Sequence, residues 1–340
     1  MRIVTPSRAP QPRGDSGTSP TREEFEAYVR ERLDVVESSL AEAATGSTPF
    51  VSEAARHVIA AGGKRFRPML VVLASSLGVP RSAEDLTRAC LVVELTHVAS
   101  LYHDDVMDEA DIRRGAPSAN SVWDNTVAIL VGDFLFSRAS DIVADLGTDF
   151  VRLQARTFSR LVQGQIAETR GPAAGEDPLG AYLHVVADKT GSLIAASAMF
   201  GGMVAGLPDR KVAALRSYGE ELGVVFQLSD DLIDVTSDTT GKTPGTDLRE
   251  GVATLPTLLL AEYDDAPTAR LRRLIANAVD SEADHAQALA LLRTHPVIGR
   301  ARAEIARRAE IARGHLTALP AGTAREALSE LCDTVVQRSA

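Results

Sequence analysis

Apolar residues in this chain recur at steps of three and four positions from Thr21 onward, and the alternation typical of β-strands is nearly absent. Such steps place apolar side chains on one face of a helix, so the pattern predicts a series of amphipathic helices. The predicted segments are 22–44, 86–107, 121–146, 149–168, 179–201, 210–235, 253–263, 271–293 and 297–316, with a short helix at the end of the chain. Many long helices joined by short connections predict an all-α fold.

Glycine and proline stand where the predicted helices stop, at 62–63, 115–117, 171–172 and 240–245. No fixed-period repeat emerges, and nothing after residue 20 marks a domain boundary. We therefore expect one large helical domain over residues 21–340. Residues 1–20 have prolines at positions 6, 10, 12 and 20 and little to bury, and this composition predicts a disordered tail.

Composition and charge narrow the class of protein. The formal net charge is −10, which argues against a nucleic-acid partner. No apolar run reaches the ~20 residues of a membrane-spanning helix, so no transmembrane segment is predicted. The two cysteines, Cys90 and Cys332, lie far apart in apolar helical patterns. Neither a disulfide nor a zinc site is indicated, and a reducing cytoplasm is the expected location.

Two clusters of the form DDxxD each end a long apolar helical segment. The clusters are Asp104, Asp105 and Asp108, and Asp230, Asp231 and Asp234. Positions i and i+4 share one face of a helix, so the first and last aspartates of each cluster converge. Like charges one turn apart repel each other, and a divalent cation would reverse that effect. Carboxylate oxygens together with water suit Mg²⁺.

A single DDxxD sequence is also compatible with a solvated acidic face. Two copies favour magnesium sites, because a solvated face does not require the apolar residues that lead into both clusters. Magnesium held by one or two carboxylates usually takes phosphate oxygens as further ligands. The clusters therefore indicate substrates that carry phosphate.

Basic residues beside glycine breaks could bind such phosphates, with Arg suited to bidentate contacts and Lys to a point charge. They are Lys64 and Arg67 within residues 62–68, Arg113 and Arg114 after the first cluster, Lys189 before Thr190 and Gly191 in a predicted helix break, and Lys242 after the second cluster. Each residue alone is typical of a solvated surface. Together with the acidic clusters they indicate two anionic groups with metal ions between them.

These residues resemble the motifs of the trans-isoprenyl diphosphate synthases, also called polyprenyl synthetases. The resemblance is carried in order by GGKRFRP at 62–68, the stretch 97–117, Gly164-Gln165, Lys189-Thr190-Gly191, 226–234, and GKTPGTD at 241–247. It implies a helical bundle with a central cavity that binds isopentenyl diphosphate and an allylic diphosphate. It also implies three Mg²⁺ ions per active site and a homodimer. The likeness is to bacterial long-chain enzymes, for which quinone side chains are a natural destination.

The resemblance assigns roles to individual residues. Isopentenyl diphosphate would be bound by Lys64, Arg67, His97 and Arg114, and the allylic diphosphate by Arg113, Lys189, Thr190, Gln227 and Lys242. The main magnesium ligands would be Asp104, Asp108 and Asp230, with Asp105, Asp231 and Asp234 as further ligands or supports. The catalytic set would be Asp104, Asp105, Asp108, Lys189, Asp230 and Asp231. Without the resemblance, His97 is typical of a histidine satisfied within the core.

Small residues before the first cluster bear on product length. Ser100 and Ala99 lie one turn before Asp104, and Thr96 and Val93 continue away from it. In the resembled family the growing chain passes these positions, and bulky aromatics there stop growth early. Small residues therefore predict a long product, of thirty to forty-five carbons. They are also compatible with close helix packing.

Three other functions are considered. A geranylgeranyl or farnesyl diphosphate synthase differs only in product length. A class I terpene cyclase normally has a different second metal motif, whereas this chain repeats DDxxD. A non-catalytic subunit of the same fold would lack some of the motifs, and this chain keeps all of them.

Overall fold

The computed structural model describes residues 20–237 and 244–338. The backbone in these ranges is helical except for connections and one short antiparallel hairpin, so the predicted all-α fold is confirmed. The helices are α1 (Arg22–Ala43), α2 (Pro49–Ala60), α3 (Phe66–Ser75), α4 (Ala83–Met107), α5 (Ala119–Val122), α6 (Asn125–Leu146), α7 (Thr148–Arg170), α8 (Pro178–Val186), α9 (Ser192–Val204), α10 (Asp209–Thr236), α11 (Thr246–Arg249), α12 (Leu255–Leu259), α13 (Ala266–Asn277), α14 (Glu282–Thr294), α15 (Val297–His315) and α16 (Thr323–Gln337). The hairpin pairs β1 (Ile112–Arg113) with β2 (Ala116–Pro117).

The described residues form two compact units. The first unit comprises residues 20–159, 193–216 and 316–328, and the second unit comprises the remaining described residues. Each unit is assembled from stretches that are distant in sequence. No linker separates them, so the sequence pattern offers no boundary to detect.

Helix α4 is the centre of the first unit and packs against α1, α3 and α6. It begins where the Ser82 side chain accepts a hydrogen bond from the backbone N–H of Asp85, a favourable N-cap. Leu95, Val98 and Tyr102 are fully buried along it. The Tyr102 hydroxyl donates to the carbonyl of Ala54 at 2.5 Å. This packing fixes the end of α4, which carries the first aspartate cluster.

Helix α10 carries the second aspartate cluster, and the part of it that belongs to the second unit is buried along Leu222, Val225, Leu228 and Leu232. These residues follow three- and four-residue steps, which place them on one face of the helix. In the same unit α12 packs against α8 and α15, and α13 packs against α14. The polar residues of the cluster therefore project from a helix whose opposite side is anchored in the core.

Two helix predictions need correction. The segment 271–293 is two helices, because the Ser281 side chain accepts from the N–H of Asp284 and starts α14 anew. The break predicted at Lys189-Thr190-Gly191 is a widened helical turn, a π-helix over Ala187–Gly191 between α8 and α9. Helices α2 and α3 lie outside the predicted segments. They are short, and a strong periodic pattern needs a longer window.

Deleting residues 1–20 is expected to leave the melting temperature and the product distribution unchanged. Helix α1 is closed by a capping box of its own, in which the Thr21 and Glu24 side chains bond each other's backbone N–H groups. Both residues remain after the deletion. Thermal unfolding monitored by circular dichroism checks this, and a melting temperature several degrees lower would show that the deleted residues stabilise the domain.

Within residues 20–237 and 244–338, no helix is both long enough and apolar enough to cross a bilayer.

Candidate active site

The first aspartate cluster lies at the C-terminal end of α4. Asp104 is half-buried, Asp105 is fully buried, and Asp108 is exposed where the helix ends. The predicted face holds, since Asp104 and Asp108 are one turn apart and the N–H of Asp108 donates to the Asp104 carbonyl at 2.8 Å. Two carboxylates are thus presented together and a third is turned into the protein.

Asp105 is the buried member of the first cluster. Its Oδ1 accepts from Nε of Arg113 at 2.5 Å, while its Oδ2 is buried without a hydrogen-bond partner. Burial raises the pKa of Asp105, and the guanidinium of Arg113 opposes that shift. The predicted diphosphate ligand Arg113 therefore also neutralises the cluster. An unpaired buried carboxylate oxygen beside two further carboxylates fits a cation.

A cluster of cationic side chains surrounds His97 in the first unit. Burial lowers the pKa of His97 well below its usual value, and the nearby charges of Arg67 and Arg114 lower it further. The imidazole is therefore neutral at pH 7. Burial also lowers the pKa of Arg67 to about 10, and its Nε has no hydrogen-bond partner. A buried guanidinium N–H without an acceptor fits a site for an anionic ligand.

The other predicted ligands of isopentenyl diphosphate are Arg114 and Lys64. Nη1 of Arg114 donates to the carbonyls of Val58 and Gly62, which fixes the guanidinium against the turn before α3. Gly63 leaves room for it, since an added Cβ would lie 3.0 Å from the guanidinium carbon. Lys64 is exposed. The structure thus brings Arg67, His97 and Arg114 together.

Arg65, between Lys64 and Arg67, has a different role that the sequence analysis missed. Its guanidinium pairs with Glu94 at 2.9 Å and with Glu37 at 2.6 Å, and Glu94 is only 2% exposed. The residue adopts a left-handed conformation with φ of 46° at the start of α3. It therefore supports the turn that carries the predicted binding residues Lys64 and Arg67.

Replacing Arg65 by alanine is expected to destabilise the protein by about 3–5 kcal/mol, because the buried carboxylate of Glu94 would lose its partner. Arg67→Ala is the matched control, since it removes the same charge two residues away without breaking a buried ion pair. We expect it to change stability much less and activity much more. Denaturant unfolding of both variants measures the difference. Equal losses of stability would contradict the distinct roles.

The second cluster engages its three aspartates differently. Asp231 accepts from the hydroxyl of Tyr182 and from Nε2 of Gln227 at 2.9 Å, and burial raises its pKa to about 6. Asp234 accepts from the backbone N–H groups of residues 246 and 247 at 3.3 and 3.2 Å, at the start of α11. Asp230 is paired with Arg338 at 2.7 Å. Asp234 therefore holds a backbone turn, whereas the Asp230 side chain is 38% exposed.

The widened turn of residues 187–191 presents Lys189 and Thr190 in the second unit. Thr190 Oγ1 donates to Gln227 Oε1 at 3.1 Å, and Lys189 is paired with Glu168. An added Cβ at Gly164 would lie 2.6 Å from the backbone nitrogen of Lys189, so only glycine fits there. Extra-wide turns of this kind often occur at functional sites.

Ion pairs hold this turn. Arg160 Nη2 lies 2.7 Å from Asp188 and 2.6 Å from Glu220. The predicted residues Thr190, Gln227 and Asp231 form a connected hydrogen-bonded chain. Lys242, the remaining predicted ligand, lies outside the described residues.

The donor set fits magnesium bound with a substrate. Among the described residues, no three His, Cys, Asp or Glu side chains converge into a ready-made metal site. Mg²⁺ is usually bound by one or two carboxylates, substrate phosphates and water, so a complete protein cage is not needed. Asp104 with Asp108 in the first unit and Asp230 in the second unit offer such carboxylates.

A small, partly open cavity lies beside α4 in the first unit. It is lined by Val92, Val93, Thr96, Gln154, Thr157, Leu193, Ala196 and Phe200. Val93 is eleven residues before Asp104, about 16 Å along the helix and about 20° round its axis, so it lies on the same side. Ala99 and Ser100 are buried between the cavity and Asp104 along α4, and they do not line the cavity. The cavity is therefore in line with the first cluster.

Several known proteins have this sequence pattern and fold. A nonaprenyl diphosphate synthase of Mycobacterium tuberculosis is 46% identical over 316 residues, which are 92% of this chain and 94% of that protein. A geranylgeranyl pyrophosphate synthase from Corynebacterium glutamicum, solved with calcium and isoprenyl diphosphate, is 41% identical with a TM-score of 0.83, covering 93% of this chain and 98% of the other. A polyprenyl synthase from Caulobacter crescentus, solved with the same ligands, is 32% identical with a TM-score of 0.85, covering 95% and 99%.

The fold and the two aspartate clusters thus define an all-α isoprenoid synthase. The sequence profile described as Polyprenyl synthetase matches residues 48–292, and the chain belongs to this family. The family predicted from the sequence is confirmed, as is the prediction that the chain is a prenyltransferase.

Proposed function

We propose that this chain is a magnesium-dependent synthase that condenses isopentenyl diphosphate head to tail with an allylic diphosphate. The product is a long-chain all-trans polyprenyl diphosphate of about thirty to forty-five carbons, expected from the small residues Ala99 and Ser100 before the first cluster. The observation that carries the proposal is the pair of DDxxD clusters, each accompanied in its own unit by cationic and hydrogen-bonding side chains. The aspartate clusters would hold metal ions on one diphosphate, the cationic side chains around His97 would bind a second, and a condensation needs two substrates.

The residues would divide the work as follows. Asp104, Asp108 and Asp230 would hold Mg²⁺, which supplies positive charge that stabilises the departing diphosphate. Lys189 and Arg113 would bind the allylic diphosphate, and fixed cations of this kind stabilise charge that develops as the C–O bond breaks. Arg67, Arg114 and neutral His97 would position isopentenyl diphosphate, whose double bond attacks the allylic carbon. The leaving diphosphate would then take the proton.

The proposal of a long product is supported by residues of the first unit. Ala99 and Ser100 are small and lie between Asp104 and the cavity beyond Thr96. Each CH₂ that leaves water contributes ~0.8 kcal/mol, so an apolar path would favour continued growth. Similarity to a nonaprenyl diphosphate synthase agrees with a long product. Similarity to a geranylgeranyl pyrophosphate synthase keeps a twenty-carbon product as the second candidate.

The test is synthesis by the purified chain from labelled isopentenyl diphosphate and farnesyl diphosphate, with mass analysis of the products. EDTA is expected to abolish turnover, and Mg²⁺ is expected to restore it. Synthesis in metal-free buffer would contradict the metal role. A product of twenty carbons or fewer under excess isopentenyl diphosphate would contradict the long-chain assignment and favour the second candidate.

We also propose three Mg²⁺ ions per active site, a homodimer, and action in the cytoplasm on the way to quinone side chains. A dimer is supported by apolar side chains exposed on and beside α6 in the first unit, including Leu130 (61% exposed), Ile129 and Phe50. Such a patch is typical of a protein interface. Both cysteines are buried free thiols, as a reducing compartment would allow. Sedimentation equilibrium measures the assembly state directly.

A further inference from the structure

A cation from the end of the chain lies on the second aspartate cluster. Arg338 directly follows α16, and its Nη2 donates to Oδ1 of Asp230 at 2.7 Å. The guanidinium carbon also lies 4.8 Å from the centre of the Phe226 ring. Phe226 and Asp230 are one turn apart on α10, so together they form one binding site for the guanidinium. A ring face below and a carboxylate beside it both favour a positive charge.

The position of Arg338 is fixed by the packing of α16, the helix that precedes it. In the last turns of α16, Cys332 and Val335 are buried. Arg313 holds the same turns from outside the helix, with Nη2 at 2.5 Å from Asp333 and Nε donating to Ser329 at 3.1 Å. Arg338 therefore emerges at a defined place beside α10. Its contact with Asp230 is set by the packing of the second unit.

The position of Arg338 conflicts with metal binding at Asp230. A guanidinium and a hydrated Mg²⁺ both require the carboxylate oxygens, and their like charges repel at this distance. No metal is needed to explain the ion pair, since it neutralises Asp230 by itself. Binding of a divalent cation at Asp230 must therefore move the guanidinium away or weaken its bond.

We propose that Arg338 is the counter-cation of Asp230 in the metal-free enzyme and that a divalent cation displaces it, so that metal binding is coupled to release of the end of α16. The inference rests on the proposed function, because it takes Asp230 to be a metal ligand. It assigns Arg338 a positioning role: it holds the Asp230 carboxylate in place before the metal arrives. It also makes the affinity for metal lower than the carboxylates alone would give.

The first test measures Mn²⁺ binding by electron paramagnetic resonance, without substrate, in the whole protein. Arg338→Gln is expected to bind Mn²⁺ on the order of threefold to fivefold more tightly than the unmodified chain. This factor corresponds to the free energy of a partly exposed ion pair. Phe226→Leu is also expected to bind Mn²⁺ more tightly than the unmodified chain, but by a smaller factor than Arg338→Gln. Arg325→Gln is the matched control, because it removes the same charge from the same helix. Arg325 Nη1 donates to the carbonyl of Leu319 at 3.3 Å.

The second test needs no variant and follows hydrogen exchange of residues 329–338 with and without Mn²⁺. Exchange is expected to rise when the metal binds. The Arg338 proposal is overturned if Arg338→Gln binds Mn²⁺ no more tightly than Arg325→Gln, or if exchange at 329–338 does not rise. Asp230→Asn separates the two proposals. If Asp230→Asn binds as many Mn²⁺ ions as the unmodified chain, the metal role of Asp230 and the Arg338 proposal are both wrong. If Asp230→Asn binds fewer Mn²⁺ ions, a negative result in the other tests contradicts the Arg338 proposal alone.

Discussion

Replacing Asp230 by alanine is expected to lower turnover by roughly 10²–10³-fold or more, and Asp104→Ala should have an effect of similar size. The reason is that each change removes charge stabilisation from the step that breaks the allylic C–O bond, and such stabilisation is often the largest contribution to catalysis. Both side chains are partly accessible, and neither belongs to the buried core. Helical content and melting temperature should therefore change little.

Steady-state kinetics at saturating Mg²⁺ and substrate measures this loss. Asp264→Ala is the control, because it removes an exposed carboxylate from a connection in the second unit. Its turnover should match that of the unmodified chain. If Asp230→Ala retained more than about a tenth of the activity while folded, the assignment of Asp230 as a main metal ligand would be wrong.

Replacing Ala99 by phenylalanine is expected to shorten the main product to fifteen or twenty carbons while the first condensation continues. Ala99 is fully buried one turn before the first cluster, between Asp104 and the cavity lined by Thr96. A phenyl ring there would close the apolar path, and the growing chain would end at that point. Mass analysis of the products under excess isopentenyl diphosphate measures the change.

The added ring also crowds a packed helix, which typically costs 1–3 kcal/mol. Val98→Phe provides the control, because Val98 is equally buried but lies on the opposite side of α4 from Thr96. It should lower the melting temperature without shortening the product. If both variants shorten the product alike, loss of packing rather than a blocked path would be the cause.

Features that repeat along one helix could be predicted from the sequence. The three- and four-residue steps gave the long helices to within a few residues, because a helix face is a local property of the chain. The spacing of Asp104 and Asp108 predicted a shared face for the same reason. The bounds of α13 and α14 were missed because an N-cap at Ser281 is a single-residue event inside a continuous apolar pattern.

Features that depend on distant partners could not be predicted. Arg65 looks like its neighbours Lys64 and Arg67, and only its pairing with Glu37 and Glu94 shows that it supports the fold. Tyr182 lies 49 residues before Asp231, and Arg338 lies 108 residues after Asp230. Nothing in the local sequence connects such pairs. The general identity of the candidate site could therefore be predicted, but not the way in which each carboxylate is held.

Three described residues of the first unit adopt the left-handed conformation although none is glycine: Arg65, Glu109 and Arg114, with φ of 46°, 49° and 54°. Each disfavours folding by about 1 kcal/mol relative to glycine, which adopts this conformation freely. Selection for heat resistance alone would therefore favour glycine at positions 109 and 114. At 114 that gain would remove the guanidinium proposed to bind isopentenyl diphosphate, so thermal tolerance and substrate affinity would be opposed at this turn.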